Sequence, residues 1–560
     1  MDDRLAYFSD RIAILAPFQT IILSKARMSR SIGQYLVDLL VANGIDTVFG
    51  IPGVHNLELY RGLAGADIRH VLVRHEQGAG FAADGYARLS GRPAAAFVIS
   101  GPGLTNILTA AAQAYSDSVP LLVVATTPPR ASLAKQWGVL HELNDQHALA
   151  AGVFGVACAA QTAEDVRDHL RRCLSSLRVG RARPAYLEIA LDLLSATTTL
   201  SAARFEDKAL LPQAEAAQVT AAVGALHVAE RPIVIAGGGA RHAGSELRRL
   251  VEMLDCPLVT TVAGKGLLPE THPANLGASL PYRETQALIA QADVVLAAGT
   301  EMAETDFYTA LKLPLGGLLV RIDVDPAKLS DHYAADIPIW ADSRAALESI
   351  NRGLTQRPGW RTQLGGLAAL RAQIDAKLNA VARPLIAALR AIRAALPWNG
   401  VVFSDMTQIA YCGNYAFPTE EPGHWFHPSG YGTLGFALPA ALGAKISNPA
   451  RPIIALAGDF GLQFTFGELM TAVEAGHSLP IVIWNNAALG QIRDDMIAAD
   501  IPPLGVVAKN PDFVALARAC GAAAVAVRDA RALTEAVRLG LDRPGPTLIE
   551  IVAADFARDA

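Results

Sequence analysis

From Ile32 onward, short uninterrupted apolar runs recur along the 560-residue chain: "PAAAFVIS", "PLLVVATT", "RPIVIAGG", "ADVVLAAG", "GLLVRIDV", "PIIALAG" and "PIVIWNN". Each lies between longer stretches with helix-like spacing. A strand with one wet face alternates apolar and polar residues, so runs that are apolar throughout predict burial on both faces, as in a parallel sheet covered by helices. Two polar or Pro-bearing segments, "LLSATTTLSAARFEDKALLPQ" and "NRGLTQRPGWRTQLGG", divide the runs into three units. The expected fold is α/β: three doubly wound parallel-sheet domains over residues 28–195, 211–350 and 380–556, preceded by an extension over 1–27. A chain of this length exceeds what one hydrophobic core organises, which agrees with several domains.

The first and third units read as copies of one plan. "RPAAAFVISGPGLTNILTAAAQAYSDSVPLLVVATT" starts at Arg92 and "RPIIALAGDFGLQFTFGELMTAVEAGHSLPIVIWNN" at Arg451. Both run Arg-Pro, strand, Gly-containing turn, helix, Pro, strand, with spacing that slips by two or three residues. Any two strand-helix-strand units share some of this, so duplication is weighed against coincidence. The copies differ at the turn: Gly101-Pro102-Gly103 in the first, Gly458-Asp459-Phe460 in the third. Only the later copy offers a carboxylate there.

Composition narrows the function classes. With 51% hydrophobic and 18% charged residues, the chain has ample core material and is not expected to be disordered. A net charge of -5, without long runs of one sign, gives no footprint for nucleic acid or an anionic membrane. Small molecules and protein subunits are the expected partners. Cys158, Cys173, Cys256, Cys412 and Cys520 are widely spaced, with no C-x-x-C, so neither a disulfide framework nor a zinc site is indicated and a reducing cytoplasm is the expected compartment. The segment "MDDRLAYFSDRIAILAPFQTIILSKAR" has an acidic start and a short apolar stretch broken by Gln19; it suits neither a secretory signal nor a membrane span and reads as an extension outside the fold.

If "PIIALAG" and "PIVIWNN" are neighbouring parallel strands joined by a right-handed crossover through a helix around Thr465 to Glu474, Asp459 and Asn486 sit at their carboxyl ends on one edge of the sheet. That edge is where open α/β sheets bind ligands. One carboxylate, one amide oxygen and a backbone carbonyl form an incomplete oxygen shell, the kind Mg2+ takes when a phosphate fills the remaining positions. Taken singly, Asp and Asn in such loops read equally as cap and turn residues.

Gly458-Asp459, with Asn486 following the Asp by 27 positions, resembles the diphosphate motif of thiamine diphosphate (ThDP) enzymes, GDG followed by about 25 to 30 residues and NN. The resemblance extends from Ser31 to Ile551. It implies that Asp459, Asn486 and the carbonyl of Ala488 hold Mg2+, with Gly458, Phe460 and Gly461 in the cofactor-binding turn. Phe460 stands where the motif has its second Gly, which leaves the local backbone shape open. "VLVRHEQGAGFAADGYAR" resembles the family's pyrimidine-domain motif and "GPGLTN" is a second match; Glu76 is then the buried acid that protonates the aminopyrimidine, with Gly78, Ala79 and Gly80 leaving room for the ring. Alone, Glu76 would read as a helix N-terminal charge. "YGTLGFALPAALGAKI" resembles the segment before the metal strand, implying that the Gly432 carbonyl meets the 4'-amino group and Leu434 is the wedge under the bent cofactor; an ordinary core residue is the bland alternative for Leu434. Gln408 matches a diphosphate-contacting position. The middle unit, with "IVIAGGGARHAGSEL", "LVTTVAGKGLLPETHPANLG" and "RIDVDP", resembles the family's central domain. Where flavin-bearing acetolactate synthases carry Arg-Phe-Asp-Asp-Arg it reads "GTEMAETDFY", so the resemblance gives no support to bound FAD.

The reaction class rests on finer resemblances. "VLHELNDQ" resembles the segment in which pyruvate decarboxylase-like enzymes carry two adjacent His; here it reads His141-Glu142, making His141 the expected proton-transfer residue, with a capping or surface His as the alternative. Val54 stands where pyruvate decarboxylases have Asp, leaving His55 as the neighbouring polar group, and Ile492 stands where they have Glu. "FGIPGVHNLELYRG", "VLHELNDQ" and "MTQIAYCGNYAFP" together look most like 5-guanidino-2-oxopentanoate decarboxylases. A guanidinium substrate needs a desolvated carboxylate or aromatic partner, and Glu142, Glu301, Glu304 and Asp306 are unranked candidates. Val54, His55 and Glu142 are the expected substrate neighbours. The resemblance thus implies a ThDP- and Mg2+-dependent decarboxylase of a 2-oxo acid, a homo-oligomer with a dimer as the minimum active unit and a tetramer as the expected assembly. The rival enzyme is an acetolactate synthase-like carboligase; from other classes come a non-catalytic ThDP-retaining subunit and a flavin-dependent oxidase.

Overall fold

Every one of the apolar runs is a strand, and all pairings within the three larger sheets are parallel. The computed structural model describes residues 29–206, 211–308 and 312–559; the extension expected over 1–27 lies outside them. The first sheet contains β1 (Thr47–Gly50), β2 (Arg69–Leu72), β3 (Ala94–Val98), β4 (Leu121–Thr127), β5 (Val156–Ala160) and β6 (Ala185–Ala190), in the order β2-β1-β3-β4-β6-β5. The central sheet contains β7 (Pro232–Ala236), β8 (Leu258–Thr260), β9 (Val294–Ala298), β10 (Leu318–Asp323) and β11 (Ile337–Trp340), in the order β8-β7-β9-β10-β11. The third contains β12 (Val401–Ser404), β13 (Trp425–Phe426), β14 (Ile453–Gly458), β15 (Leu479–Asn485), β16 (Ala523–Val527) and β17 (Pro546–Val552), in the order β13-β12-β14-β15-β17-β16.

Counted from its own first strand, each outer sheet runs second, first, third, fourth, sixth, fifth. "PAAAFVIS" and "PIIALAG" are the third strands of both, so one topology is used twice, as the paired motifs led us to expect. The internal symmetry reaches atomic packing. Helix α1 (Glu76–Ser90) follows the second strand of the first sheet, and α4 (Ala437–Ser447) follows the second strand of the third. They cross at two glycines: a Cβ on Gly85 would lie 2.5 Å from the Ala440 carbonyl carbon, and one on Gly443 would lie 2.5 Å from that of Ala82. Each Ala-x-x-Gly step fits the other, beside an edge-to-face contact of Phe81 and Phe436 with centroids 5.5 Å apart. One core therefore runs through both outer units, joining Phe49, Ile107 and Phe81 to Phe403, Phe436 and Leu462.

The central unit has its own cores. Arg181 and Arg183 tie it to the first unit, both donating to Glu301, at 2.7 and 3.0 Å, while Arg181 also reaches Asp323. Its Gly-rich loop packs against Gly299: a Cβ on Gly237 would lie 2.5 Å from the Gly299 oxygen. Backbone packing alone accounts for glycine there, so the loop needs no nucleotide to explain it. Among the described residues, no helix is long and apolar enough to cross a membrane.

One expected element differs. The crossover between β14 and β15 is two helices, α5 (Asp459–Phe464) and α6 (Glu468–Ala475), instead of one starting near Thr465. Thr465 leaves the helical region at φ -132° and its hydroxyl donates to the Gly435 carbonyl at 2.8 Å, which breaks the helix. Asp459 is consequently the first residue of a helix, directly after its strand.

Candidate functional site

β12, β14 and β15 are adjacent, so their carboxyl ends bring Gln408, Asp459, Asn485 and Asn486 to one edge. Asp459 is 2% exposed. Burial pushes its carboxyl above the usual range, partly opposed by Asn510. The Asn510 amide donates to Asp459 Oδ2 at 2.6 Å and to Asn485 Oδ1 at 2.9 Å. Asn486 Nδ2 donates to Gln408 Oε1 at 3.3 Å, and its Oδ1 accepts from the Ala488 N–H at 3.2 Å, closing a tight turn through Ala487 at φ +51°. Gln408 begins α3 (Gln408–Ala416) and also donates to Asp494 at 2.8 Å.

The glycine requirement of this turn lies elsewhere than the resemblance suggested. A Cβ on Gly458 would lie 2.8 Å from Thr407 Oγ1, and one on Gly461 would lie 2.9 Å from Asp405 Oδ2. Phe460 lies inside α5 without a positive φ, so its replacement of the second Gly leaves the backbone intact. Asp405, overlooked in the sequence, is buried and accepts from the N–H groups of Met406 and Gly435 at 2.8 and 3.0 Å; burial pushes its pKa up to about 6 against those bonds. It anchors the turn from Gly432 (φ +69°) to Gly435 (φ +85°), on which Leu434 stands half-buried.

On the first unit, Glu76 opens α1, half-buried, and its Oε2 accepts from Asn106 Nδ2 at 2.9 Å; Asn106 projects from α2 (Pro102–Ser116). The neighbouring small residues do not make room for a ring. A Cβ on Gly78 would lie 2.6 Å from Glu468 Cδ, and one on Gly80 would lie 2.5 Å from Ala110 Cβ, so both positions are small because protein packs on them.

Two histidines from distant loops meet. The rings of His55 and His141 lie 4.7 Å apart, edge to face. His55 is 8% exposed, its Nδ1 bonded to Ser100 Oγ, and burial followed by the nearby His141 holds its pKa below the usual imidazole value. His141 adopts φ +62°, and its carbonyl lies 2.6 Å from where a Gly101 Cβ would be, which explains the glycine. Val54, beside His55, is 64% exposed. The Glu142 side chain accepts from the Gly138 N–H through Oε2 at 2.8 Å, while Oε1 is shielded from solvent and has no hydrogen-bond partner.

The structure separates the four acids considered for a cationic substrate. Glu301 is committed to Arg181 and Arg183. Asp306 caps its own short helix through the Ala303 N–H and is pushed up to about 7 by burial, and Glu304 is exposed. Of the four, only Glu142 is next in the chain to a member of the histidine pair, following His141.

The donors at the Asp459 edge fit Mg2+ and a diphosphate. All are oxygens and one is charged, and among the described residues no cluster of three or more His, Cys, Asp or Glu side chains could hold a metal unaided. A cation there would draw the rest of its shell from a ligand.

Comparison with known proteins identifies the family. Residues 30–149 match the model of the thiamine pyrophosphate enzyme N-terminal TPP binding domain, 219–350 the central domain and 405–551 the C-terminal TPP binding domain. A protein of Pseudomonas aeruginosa named "Probable 2-ketoarginine decarboxylase AruI" is 48% identical over 93% of each chain. Escherichia coli K12 acetolactate synthase isozyme 1 large subunit is 28% identical over 92% of this chain and 93% of its own, and the isozyme 3 large subunit 30% over 87% and 88%. The matched domains, the doubled sheet topology and the oxygen-lined strand edge lead to one conclusion: the chain belongs to the thiamine pyrophosphate enzyme family.

Proposed function

We propose that this chain is a ThDP- and Mg2+-dependent decarboxylase that converts 5-guanidino-2-oxopentanoate to 4-guanidinobutanal and CO2 in the cytoplasm, as a homo-oligomer built from dimers and expected to be a tetramer. The substrate reading rests on Glu142, the residue that follows His141: its Oε1 is shielded from solvent and lacks a partner. An unpaired buried carboxylate oxygen is costly, and a guanidinium N–H is a donor that would satisfy it. The relative named for 2-ketoarginine, the same compound, supports this reading.

ThDP supplies, when bound, a carbon acid that adds to a 2-oxo group and accepts the electrons released with CO2. Asp459, Asn486 and the Ala488 carbonyl would hold the Mg2+ that fixes its diphosphate, with Gln408, Gly458, Phe460 and Gly461 around it, while Gly432 and Leu434 would orient its rings. Glu76 would carry the proton that activates the pyrimidine, its carboxylate aimed by Asn106. The Ser100 hydroxyl at His55 Nδ1 leaves Nε2 as the atom able to exchange a proton. His141, edge to face with His55, is the imidazole that would hand a proton to the product carbon.

Both candidate faces carry exposed apolar side chains: Val54 (64%), Leu57 (56%) and Leu140 (59%) on the first unit, Tyr431 (56%), Phe464 (58%) and Ile492 (50%) on the third. Such surface favours burial against another copy, so that one subunit's Glu76 meets another's Asp459. CO2 release and product analysis test the proposal. Aldehyde from the guanidino acid supports it; acetolactate from pyruvate with no turnover of the guanidino acid would favour the carboligase.

A further inference from the structure

Glu468 takes no part in the chemistry just described, yet it is 1% exposed and fully engaged. Its Oε1 accepts from the backbone N–H groups of Arg74 and His75, both at 3.0 Å, and its Oε2 accepts from Thr471 Oγ1 at 2.7 Å. Arg74 and His75 are the two residues immediately before Glu76, on the other α/β unit. Helix α1 starts at Glu76, so this junction sets where the Glu76 side chain leaves the backbone. The room for the clamp is made by Gly78.

The same arrangement runs in the opposite direction. Gln113, on α2 of the first unit, is fully buried, and its Oε1 accepts from the N–H and hydroxyl of Thr433, at 3.4 and 2.9 Å. Thr433 immediately precedes Leu434 on the third unit. Each unit thus holds, through one buried side chain, the turn by which the other presents a residue proposed to meet the cofactor. Chance contact between two packed domains does not account for a pair of clamps related by the same internal symmetry as Gly85 and Gly443.

We propose that Glu468 and Gln113 are reciprocal positioning residues: Glu468 fixes the backbone that aims Glu76, and Gln113 fixes the turn that carries Leu434. The proposal rests on the cofactor roles given above to Glu76 and Leu434. A misplacement of a catalytic group by an ångström costs up to about 100-fold in rate. Removing the Glu468 clamp should therefore slow the step that Glu76 serves and spare the diphosphate edge, which it does not touch.

The test uses the full-length protein with Glu468→Ala, Glu468→Asp and Glu468→Gln, and Glu76→Gln as control. Hydrogen exchange by mass spectrometry on the apo-protein reports the Arg74 and His75 amides, and quenched-flow NMR reports exchange of the thiazolium C2 proton in the holoenzyme. Ala and the shorter Asp should each raise amide exchange and slow C2 exchange by about tenfold or more, with ThDP affinity changed by less than about threefold. Gln keeps an oxygen for both N–H groups and should restore both readouts. Should Ala fail to fold, Asp carries the comparison. The clamp is refuted if Ala or Asp leaves either readout at the wild-type level, or if ThDP affinity falls in step with C2 exchange. A Glu76→Gln variant with undiminished C2 exchange would instead overturn the role of Glu76, while the apo-protein amide measurement still judges the clamp.

Discussion

Replacing Gly443 by alanine places a methyl group 2.5 Å from the Ala82 carbonyl carbon and 2.7 Å from its Cα. Ordinary carbon contacts lie at about 3.5–4.0 Å, and the Ala82 carbonyl oxygen is nearer still, so α1 and α4 must part by more than about 1 Å. The obstructing atoms are backbone, which cannot rotate aside. The cost should fall at the upper end for overpacking, about 3 kcal/mol, or a melting point lower by about 6 °C or more for units of this size. Gly224→Ala is the matched control: this helical glycine has nothing within 4 Å of its absent Cβ, so the same change should stabilise by about 0.5–1 kcal/mol. Gly85→Ala should resemble Gly443→Ala, and the double variant should cost less than the sum, because helices already parted accept the second methyl cheaply. Thermal melts followed by circular dichroism at one protein concentration decide the matter. Gly443→Ala melting with the wild type, or strict additivity with Gly85→Ala, would refute the crossing as described.

Further outcomes follow from the site. Asp459→Ala should raise the Mg2+ requirement by about 100-fold or more while Phe460→Gly changes it little, as measured by metal titration of activity. Glu142→Gln should raise KM for the guanidino acid by about tenfold, from the loss of a charge-assisted bond, while leaving a neutral 2-oxo acid unaffected. Because the folded-state pKa of His55 is depressed, its contribution to stability is present above about pH 6.5 and is lost as pH falls. Urea melts from pH 7.5 to 5 should show wild type losing more stability than His55→Gln, the gap opening below about pH 6.5.

Features carried by local pattern were legible in the sequence. Apolar runs buried on both faces announce parallel strands whatever their order, and an Asp and an Asn ending neighbouring runs fall on one edge by geometry alone. The break at Thr465 was not legible, because the hydroxyl's acceptor on Gly435 is a tertiary partner. Nor was the meeting of His55 with His141, which depends on a left-handed residue in one loop and a glycine in another. Asn510 and Asp405 belong to no motif in the sequence, because their partners, Asp459 and Gly435, reach them only through the fold. Glycines misled twice for one reason: a sequence shows that a side chain is missing but not what fills the space. At Gly78 it is Glu468, and at Gly461, not Phe460, it is Asp405.

Glu76 and the Asp459–Asn486 edge are proposed as two halves of one ThDP site acting on a guanidino 2-oxo acid. The deciding measurement is CO2 release from 5-guanidino-2-oxopentanoate, with and without ThDP and Mg2+, for wild type and Glu76→Gln. Release should require both additions and fall by about 100-fold or more in Glu76→Gln. Release independent of ThDP, or a Glu76→Gln enzyme as fast as wild type, would contradict the proposal.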